Sequence, residues 1–213
     1  MSWLCDVVPP GERMEVETVL ESCPVLALLG GSSLGADRFE TVSMLLVEDG
    51  LVLVSTSNRG SARRVVVGVA GPGSVLLPPG AHERLEALAD SRVTLVPRRS
   101  HRRLLGTPSA ALAIVDGFMS GLRDCRESLG QFACRRHADR VHVKLTQLAR
   151  SHGRVGVDGF VLDLPLTHEL LAEMVGSTRE TVTRALAQLA HEGTVQHERG
   201  RYRLAAGPEE RLS

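Results

Sequence analysis

Two arginines and a glutamate share one face of a predicted helix near the carboxyl end of the chain. Apolar residues at steps of three and four predict the buried face of that helix: Val182, Ala185, Leu186 and Leu189. Arg179, Glu180 and Arg184 therefore lie on the exposed face. Arginine can bind guanine O6 and N7 with both arms of its guanidinium, and glutamate can accept a hydrogen bond from cytosine N4. The three side chains are predicted to contact bases in the major groove of DNA.

A shorter helix is predicted just before this one, and a glycine turn joins the two. It has an N-cap, three apolar residues at helical spacing and a terminating glycine: Thr167, Leu170, Leu171, Met174 and Gly176. Ser177 or Thr178 then caps the second helix. Hydroxyl groups at helix starts often hold the phosphate backbone, so Thr167, Thr178 and Thr181 are predicted phosphate contacts.

A short hairpin is predicted behind the second helix. Residues 194–197 and 201–204 alternate in polarity around Glu198-Arg199-Gly200, which makes the unit a winged helix-turn-helix. Arg199 and Arg201 lie at or near the tip of the wing and are further candidates for phosphate contacts. Ordinary solvated loop charge explains either arginine equally well.

The segment from Thr167 to Leu189 resembles the DNA-binding domain of the Crp/Fnr family of bacterial transcription regulators. The family pattern is L-T-x-x-x-L-A-x-x-V-G-x-[ST]-R-E-T-V-x-R-x-L, and Asp139-Arg140-Val141 and residues 191–195 extend the likeness. The resemblance implies a homodimer on a palindromic operator, with double-stranded DNA, a second copy and RNA polymerase as partners. Arg179, Glu180 and Arg184 stand as in members with Arg-Glu and a following Arg, which implies half-sites resembling TGTGA.

The amino-terminal half is predicted to be β structure. Short Val- and Leu-rich runs separated by glycine turns predict strands at 42–47, 51–55, 63–69 and 92–96 and an antiparallel barrel or roll. Their order is similar to the sensory β-roll of the same family. The expected class is α+β: a cyclic-nucleotide-binding-like, cupin-like antiparallel β-roll over 1–106, a dimerisation helix over 107–137 and the winged helix-turn-helix over 138–213.

The loop that binds cyclic nucleotides in this family departs from the usual pattern. Gly73, Ser74 and Arg84 are the candidate effector residues, but no Gly-Glu precedes the arginine at the expected distance. Pro78-Pro79 removes two amide donors, and Glu83 and Glu86 would oppose an anion. We expect no switching by cAMP or cGMP through the usual cassette. A purely structural roll, a different effector and a cyclic-nucleotide response are the alternatives.

No metal or cofactor site is predicted. Cys5, Cys23, Cys125 and Cys134 lack the close grouping that normally builds an iron-sulfur cluster, so free thiols are expected and a redox-responsive cluster is the alternative. The histidines show no zinc-ligand spacing. The chain also lacks a nucleophile elbow and a phosphate loop, so we expect a regulator and not an enzyme.

A long helix is predicted from about Pro108 to His137. Its apolar residues recur at alternating steps of four and three, the spacing of two helices packed along each other. The resemblance implies a parallel homodimer through this stripe; the alternative is that the stripe covers the chain's own roll. The candidate interface residues are Val115, Phe118, Leu122, Cys125, Leu129 and Phe132.

Charge is unevenly spread along the chain. Residues 137–213 hold 10 Lys and Arg against 10 Asp and Glu, so specific base contacts should matter more than general attraction to DNA. That neutrality also leaves open a winged helix that docks a protein. The chain has no apolar run long enough for a membrane span, and its amino terminus does not resemble a signal peptide, so a cytoplasmic location is expected.

Overall fold

The computed structural model describes residues 2–57, 64–134, 136–156, 159–198 and 200–205. The chain divides into two compact units, residues 1–125 and 126–213. The helices are α1 (Trp3–Val7), α2 (Pro10–Glu21), α3 (Arg98–Gly106), α4 (Pro108–Gly130), α5 (His137–His152), α6 (His168–Val175) and α7 (Arg179–His191). Short 3-10 helices cover Ala36–Phe39 and Gln131–Ala133.

All paired strands are antiparallel. In the first unit they are β1 (Val25–Leu28), β2 (Ser33–Gly35), β3 (Val42–Asp49), β4 (Val52–Ser57), β5 (Arg64–Ala70), β6 (Val75–Leu76), β7 (Glu83–Ala87) and β8 (Ser91–Pro97). In the second unit they are β9 (Arg154–Gly156), β10 (Gly159–Leu162), β11 (Val195–Glu198) and β12 (Arg201–Ala205). The α+β class with antiparallel sheets, a long helix and a carboxyl-terminal winged helix-turn-helix is confirmed.

Two four-stranded sheets form the roll, in the orders β1-β8-β3-β6 and β2-β7-β4-β5. The apolar core of the roll draws side chains from both sheets: Leu28, Phe39, Leu45, Val47, Val52, Ala70, Leu85, Ala87 and Val93. The four strands predicted from sequence are confirmed and extend by one or two residues, although Arg63 lies outside the described residues. The faces of β3 alternate, since Leu45 and Val47 lie in this core and Met44 and Leu46 lie in a second apolar cluster.

A helical layer packs on the other face of the first sheet, where the sequence predicted only β structure. That prediction was wrong for α1, α2 and α3. Helix α2 begins with Pro10 in its first turn, where a missing N–H costs nothing, and it buries Val16, Val19 and Leu20. These side chains share a cluster with Met44 and Leu46 of β3. Tertiary burial against the sheet therefore supports the helix.

The long helix ends at Gly130, seven residues before the predicted end at His137. A 3-10 turn and an extended Cys134 separate it from α5, which the sequence patterns did not predict. Among the described residues, no single helix is long and apolar enough to cross a membrane. The segments Arg98–Gly106 and Pro108–Ala133 pass that test only as a pair, and they are bent by 113° at their junction.

The second unit combines α5, α6 and α7 with a four-stranded sheet in the order β11-β12-β10-β9. Tyr202 of β12 is fully buried, and its hydroxyl donates to the carbonyl of Leu166 at 3.3 Å. That bond ties the sheet to the loop immediately before α6.

Candidate nucleic-acid interface

The first helix of the interface starts and stops where the sequence predicted. The Thr167 hydroxyl accepts from the Leu170 N–H at 3.1 Å and caps α6. Gly176 ends the helix in the left-handed region at φ 64°, ψ 41°, which favours glycine. Leu170, Leu171 and Met174 are buried, as their helical spacing predicted.

A segment from outside the two helices braces the turn at Gly176. A Cβ on Gly176 would lie 2.8 Å from Cε1 of Phe132, so the phenyl ring touches the turn. Gln131 is 2% exposed, and its side-chain N–H donates to the Met174 carbonyl at 3.0 Å. Phe132 lies in the 3-10 turn and not on α4, so the last residue of the helical stripe predicted from sequence is outside the helix.

Thr178 caps the second helix, α7, by accepting from the Thr181 N–H at 3.3 Å. The predicted buried stripe is confirmed: Val182, Ala185, Leu186 and Leu189 are between 0% and 8% exposed. Arg179, Glu180 and Arg184 are exposed on the remaining face. The helix is therefore anchored along one side, and it presents two cations and one anion within its first two turns.

The carboxyl group of Glu180 is held in its ionised form. A hydrogen bond from its own backbone N–H, then one from the Thr178 hydroxyl, lowers its pKa below the ordinary value, and Arg179 and Arg184 act in the same direction. An ionised carboxylate is a pure acceptor, which is the form that reads the amino group of cytosine.

The wing is a tight hairpin in which Glu198 pairs with Arg201. Gly200 in its loop has φ 79°, as expected for a two-residue turn. The Arg201 Nε lies 2.9 Å from an Asp163 carboxylate oxygen, so this predicted phosphate contact is ion-paired in the free chain. Arg199 lies outside the described residues.

Two histidines join the wing to the two helices, and no pattern in the sequence indicated that they would meet. His168 Nδ1 lies 2.8 Å from the Thr183 hydroxyl of α7. The His168 ring centroid is 6.4 Å from that of His197 on β11, and His197 stacks on Tyr202 at 4.3 Å and 15°. Because the contacts connect α6, α7, β11 and β12, no local periodicity could have predicted them.

The comparisons with known proteins agree with this geometry. Residues 139–206 match the model of the Crp-like helix-turn-helix domain. The global nitrogen regulator of Synechococcus elongatus is 34% identical over 88 residues, which cover 41% of this chain and 40% of that protein. A CooA mutant from Carboxydothermus hydrogenoformans has the same fold at TM-score 0.73 and 20% identity, over 90% of this chain and 87% of that one.

A CRP/FNR family transcriptional regulator from Thermus thermophilus matches at TM-score 0.65 and 21% identity, over 86% of this chain and 94% of that one. Residues 139–206 of this chain are therefore a Crp-like helix-turn-helix domain, and the likeness over the rest of the chain is one of fold. The curated nitrogen regulator is matched over only about two fifths of its own length.

Helix α4 carries an exposed apolar stripe. Val115, Leu122 and Leu129 are 51%, 55% and 64% exposed. Phe118, predicted for the same stripe, is instead partly buried against the helical layer of its own roll, while Cys125 is half-buried. Leu112 and Met119 are exposed and continue the stripe at steps of three and four.

The candidate effector residues lie on different sheets. Gly73 and Ser74 precede β6 and exchange backbone hydrogen bonds with Val47 of β3. Arg84 lies on β7 of the second sheet, and its Nε donates to the Ser33 hydroxyl at 2.7 Å. Among the described contacts, none joins Arg84 to Gly73 or Ser74.

A second polar group lies beside Arg84. Alternation along β7 puts Glu86 on the same strand face as Arg84. The Glu86 carboxylate is ion-paired with Arg64 of β5 and accepts from the buried Ser55 hydroxyl at 2.6 Å. This face of the roll therefore carries an internal ion pair next to the arginine that the sequence had suggested for an anionic ligand.

The four cysteines are free thiols and form no disulfide. Cys5 and Cys23 are buried and Cys125 and Cys134 half-buried, all as free thiols. Burial, then the negative charges of Glu17, Asp6 and Glu48, raises the pKa of the Cys5 thiol. Within the described part of the chain, no three His, Cys, Asp or Glu side chains are grouped so as to hold a metal ion.

Proposed function

We propose that this regulator binds double-stranded DNA by laying α7 in the major groove, where Arg179, Glu180 and Arg184 contact base edges. The observation that carries the proposal is the division of α7 into a fully packed apolar side and an exposed face with this charge pattern. Two arginines provide the bidentate donors that suit guanine, and the ionised Glu180 provides an acceptor for cytosine. RNA polymerase is the further partner that a transcriptional regulator of this family implies.

The two helix caps supply the phosphate contacts in this proposal. The Thr167 and Thr178 hydroxyls each accept a backbone N–H. Thr167 keeps its proton to donate, whereas Thr178 donates its proton to Glu180 and would exchange that carboxylate for a phosphate. Thr181 stands one turn inside α7, with its hydroxyl 3.0 Å from that of Thr178. Arg201 would exchange Asp163 for a phosphate, and Arg199 is proposed at the wing tip from the sequence alone.

The exposed stripe of α4 supports a homodimer. Large apolar side chains that are half or more exposed along one helix indicate an interaction surface. The proposed interface consists of Val115, Leu122, Cys125 and Leu129, with Leu112 and Met119 added from the structure. Phe118 and Phe132 were candidates from sequence, and their contacts within the chain leave them at its margin. A two-fold dimer places two α7 helices about one helical turn of DNA apart and selects a palindrome.

Binding to a panel of duplexes tests the base contacts. We expect the tightest binding on a palindrome with TGTGA-like half-sites. Glu180→Ala should lose about 1 to 3 kcal/mol of discrimination at one base pair of each half-site. Thr181→Ala should weaken binding to every duplex by a similar factor, because a phosphate contact carries no sequence information. Equal losses on all duplexes for both variants would show that the base-contacting face is misassigned.

Light scattering after size exclusion tests the dimer. Leu122→Glu puts a charge in the middle of the stripe and should give a monomer. Ser120→Glu is the matched control, because Ser120 is exposed on α4 but lies away from the stripe. If Leu122→Glu remains a dimer of the native mass, the proposed interface is wrong.

The roll does not fit a cyclic nucleotide bound through the usual cassette. An anionic phosphate beside Arg84 would meet the Glu86 carboxylate on the same strand face. We therefore propose that the regulator is not switched by cAMP or cGMP at this place. Calorimetry with both nucleotides tests it, and tight saturable binding of either would overturn it.

A thiol-held cluster is also disfavoured. A cluster needs thiolates, and the raised pKa of Cys5 keeps that thiol protonated at neutral pH. Cys5 and Cys23 are in the packed layer of the first unit, whereas Cys134 belongs to the second. Iron and acid-labile sulfide should be absent from anaerobically purified protein, and stoichiometric iron would contradict this.

A further inference from the structure

His168 belongs to the interface but not to the side chains that the sequence indicated. It is the first residue of α6, directly after the Thr167 cap. Its ring reaches across to Thr183, which is exposed on α7 and lies one residue before Arg184. The imidazole therefore lies between the two places where the proposed function puts phosphate and base contacts.

The hydrogen bonds of Thr183 fix the tautomer of His168. The Thr183 hydroxyl donates to the Arg179 carbonyl at 2.9 Å, and a hydroxyl has one proton. Thr183 must therefore accept from His168, so Nδ1 carries the proton. In the neutral ring Nε2 is then a bare acceptor. Among the described residues, Nε2 has no hydrogen-bond partner of its own.

The surroundings keep this ring neutral in the free protein. Burial, then His197 and Arg179, lowers the pKa of His168 below its ordinary value. The charged and titratable groups that face it are Arg179 on α7 and His197 on β11, and His197 is itself stacked on Tyr202 of β12. A neutral Nε2 repels a phosphate oxygen through its lone pair, whereas a protonated Nε2 donates to it.

We infer that His168 is a DNA-phosphate contact that takes up a proton when the regulator binds, so that affinity for any duplex rises as the pH falls. The inference rests on the proposed DNA binding. A phosphate beside Nε2 stabilises the charged ring and offsets the repulsion from Arg179 and His197. His168 therefore has a higher proton affinity in the complex than in the free chain. Between the two titration points, binding is coupled to the uptake of one proton. In residues 137–213, which hold 10 Lys and Arg against 10 Asp and Glu, this adds a cation only when phosphate is present.

Fluorescence anisotropy with the full chain tests the inference, on a TGTGA palindrome and on a scrambled duplex of equal length. The wild-type affinity should rise about three- to tenfold from about pH 8 to about pH 6 at constant ionic strength. His168→Asn keeps an N–H donor near the Nδ1 position for Thr183 and removes Nε2. This variant should show a reduced pH dependence on both duplexes and a salt slope smaller by about one.

His191→Asn is the matched control, because His191 is exposed in the last turn of α7, and it should retain the wild-type pH dependence. A thermal melt of each variant confirms the fold. The inference is wrong if His168→Asn keeps the full pH dependence, or if its loss is confined to the palindrome. A wild-type chain that binds the palindrome selectively with no pH dependence refutes this inference and leaves the proposed function intact. Failure to bind either duplex at any pH refutes both.

Discussion

The charged side chains of the second roll sheet have partners within the chain, whereas the arginines of α7 are not ion-paired within the described residues. Among the described residues, no ion pair holds Arg179 or Arg184, and both extend from a helix whose other side is fully packed. On the roll, Glu86 pairs with Arg64 and takes a hydrogen bond from Ser55, while Arg84 donates to Ser33. Unpaired cations on a rigid surface remain available to an external anion. Paired ones already have their partners inside the chain.

This difference bears on how much of the fold each kind of site needs. A DNA-binding helix needs a few side chains on one exposed face, and local caps and a buried apolar face stabilise such a helix. A ligand site in a roll needs several strands to present complementary groups at one place. In this roll the Glu86 carboxylate sets a negative charge beside Arg84, while Leu85 and Ala87 of the same strand remain buried.

Removing the unpaired cations should have the largest effect. The double variant Arg179→Ala/Arg184→Ala loses two bidentate contacts, each about 1 to 3 kcal/mol, so its affinity for the palindrome should fall to that for a scrambled duplex. Arg84→Ala removes an arginine of the roll and should leave the affinity unchanged. The measurement is anisotropy at one fixed salt concentration. A comparable loss in Arg84→Ala would mean that the two regions do not differ in the way described.

Breaking the internal pair of the roll should affect stability instead of DNA binding. Glu86→Ala leaves the Ser55 hydroxyl, 1% exposed, without its acceptor, which costs about 1 to 3 kcal/mol. Trp3 is the single tryptophan and lies in the first unit, so its fluorescence during urea unfolding reports on that unit. The midpoint should fall, and the dissociation constant for the palindrome should stay the same. Glu15→Ala, an exposed glutamate of α2, should change neither quantity.

The sequence predicted the two regions unequally well for a physical reason. Caps, the glycine stop and the apolar stripe of α7 act within a few residues, so spacing alone located α6 and α7. Strand β1 buries only Leu28 of its four residues, and β7 alternates over five residues with Leu85 and Ala87 buried. Strands this short give too few repeats for the alternation to stand out in the sequence.

Long-range contacts account for the remaining errors. Heptad spacing carried the predicted helix through Phe132, but α4 ends at Gly130, and Gln131 in the 3-10 turn that follows donates to the Met174 carbonyl. Phe118 had the right spacing for the exposed stripe and packs instead against the roll's helical layer. His168 and His197 meet only because β11 folds back beside α6. Partners 29 residues apart, with no shared periodicity, cannot be found in one sequence.

A moderate effect is expected from the cap of α7. Thr178→Ala removes the acceptor for the Thr181 N–H and should destabilise the second unit by about 1 kcal/mol. The same change removes the hydroxyl that holds Glu180 ionised, so the Glu180 pKa should rise toward its ordinary value. Thr178→Ser keeps both hydrogen bonds and should behave as wild type. Carboxyl-carbon NMR titration of Glu180 in the three proteins measures the shift, and identical midpoints would contradict the role of Thr178.

The smallest effect on stability at neutral pH is expected from the ionisation of Tyr202, which joins the wing to the loop before α6. Burial raises its pKa to about 12, against about 10 in an unfolded chain. Burial favours the neutral phenol, so its contribution to stability is complete below about pH 10 and is lost as the pH rises toward 12. Tyr202 is the single tyrosine, so ultraviolet absorbance follows it without interference from another phenol. The folded chain should titrate about two pH units later than the chain in urea, with helicity monitored alongside. A midpoint near 10 with full helicity would show that the phenol is not shielded, and the wing would then not be fixed to the loop before α6 as the bond to Leu166 indicates.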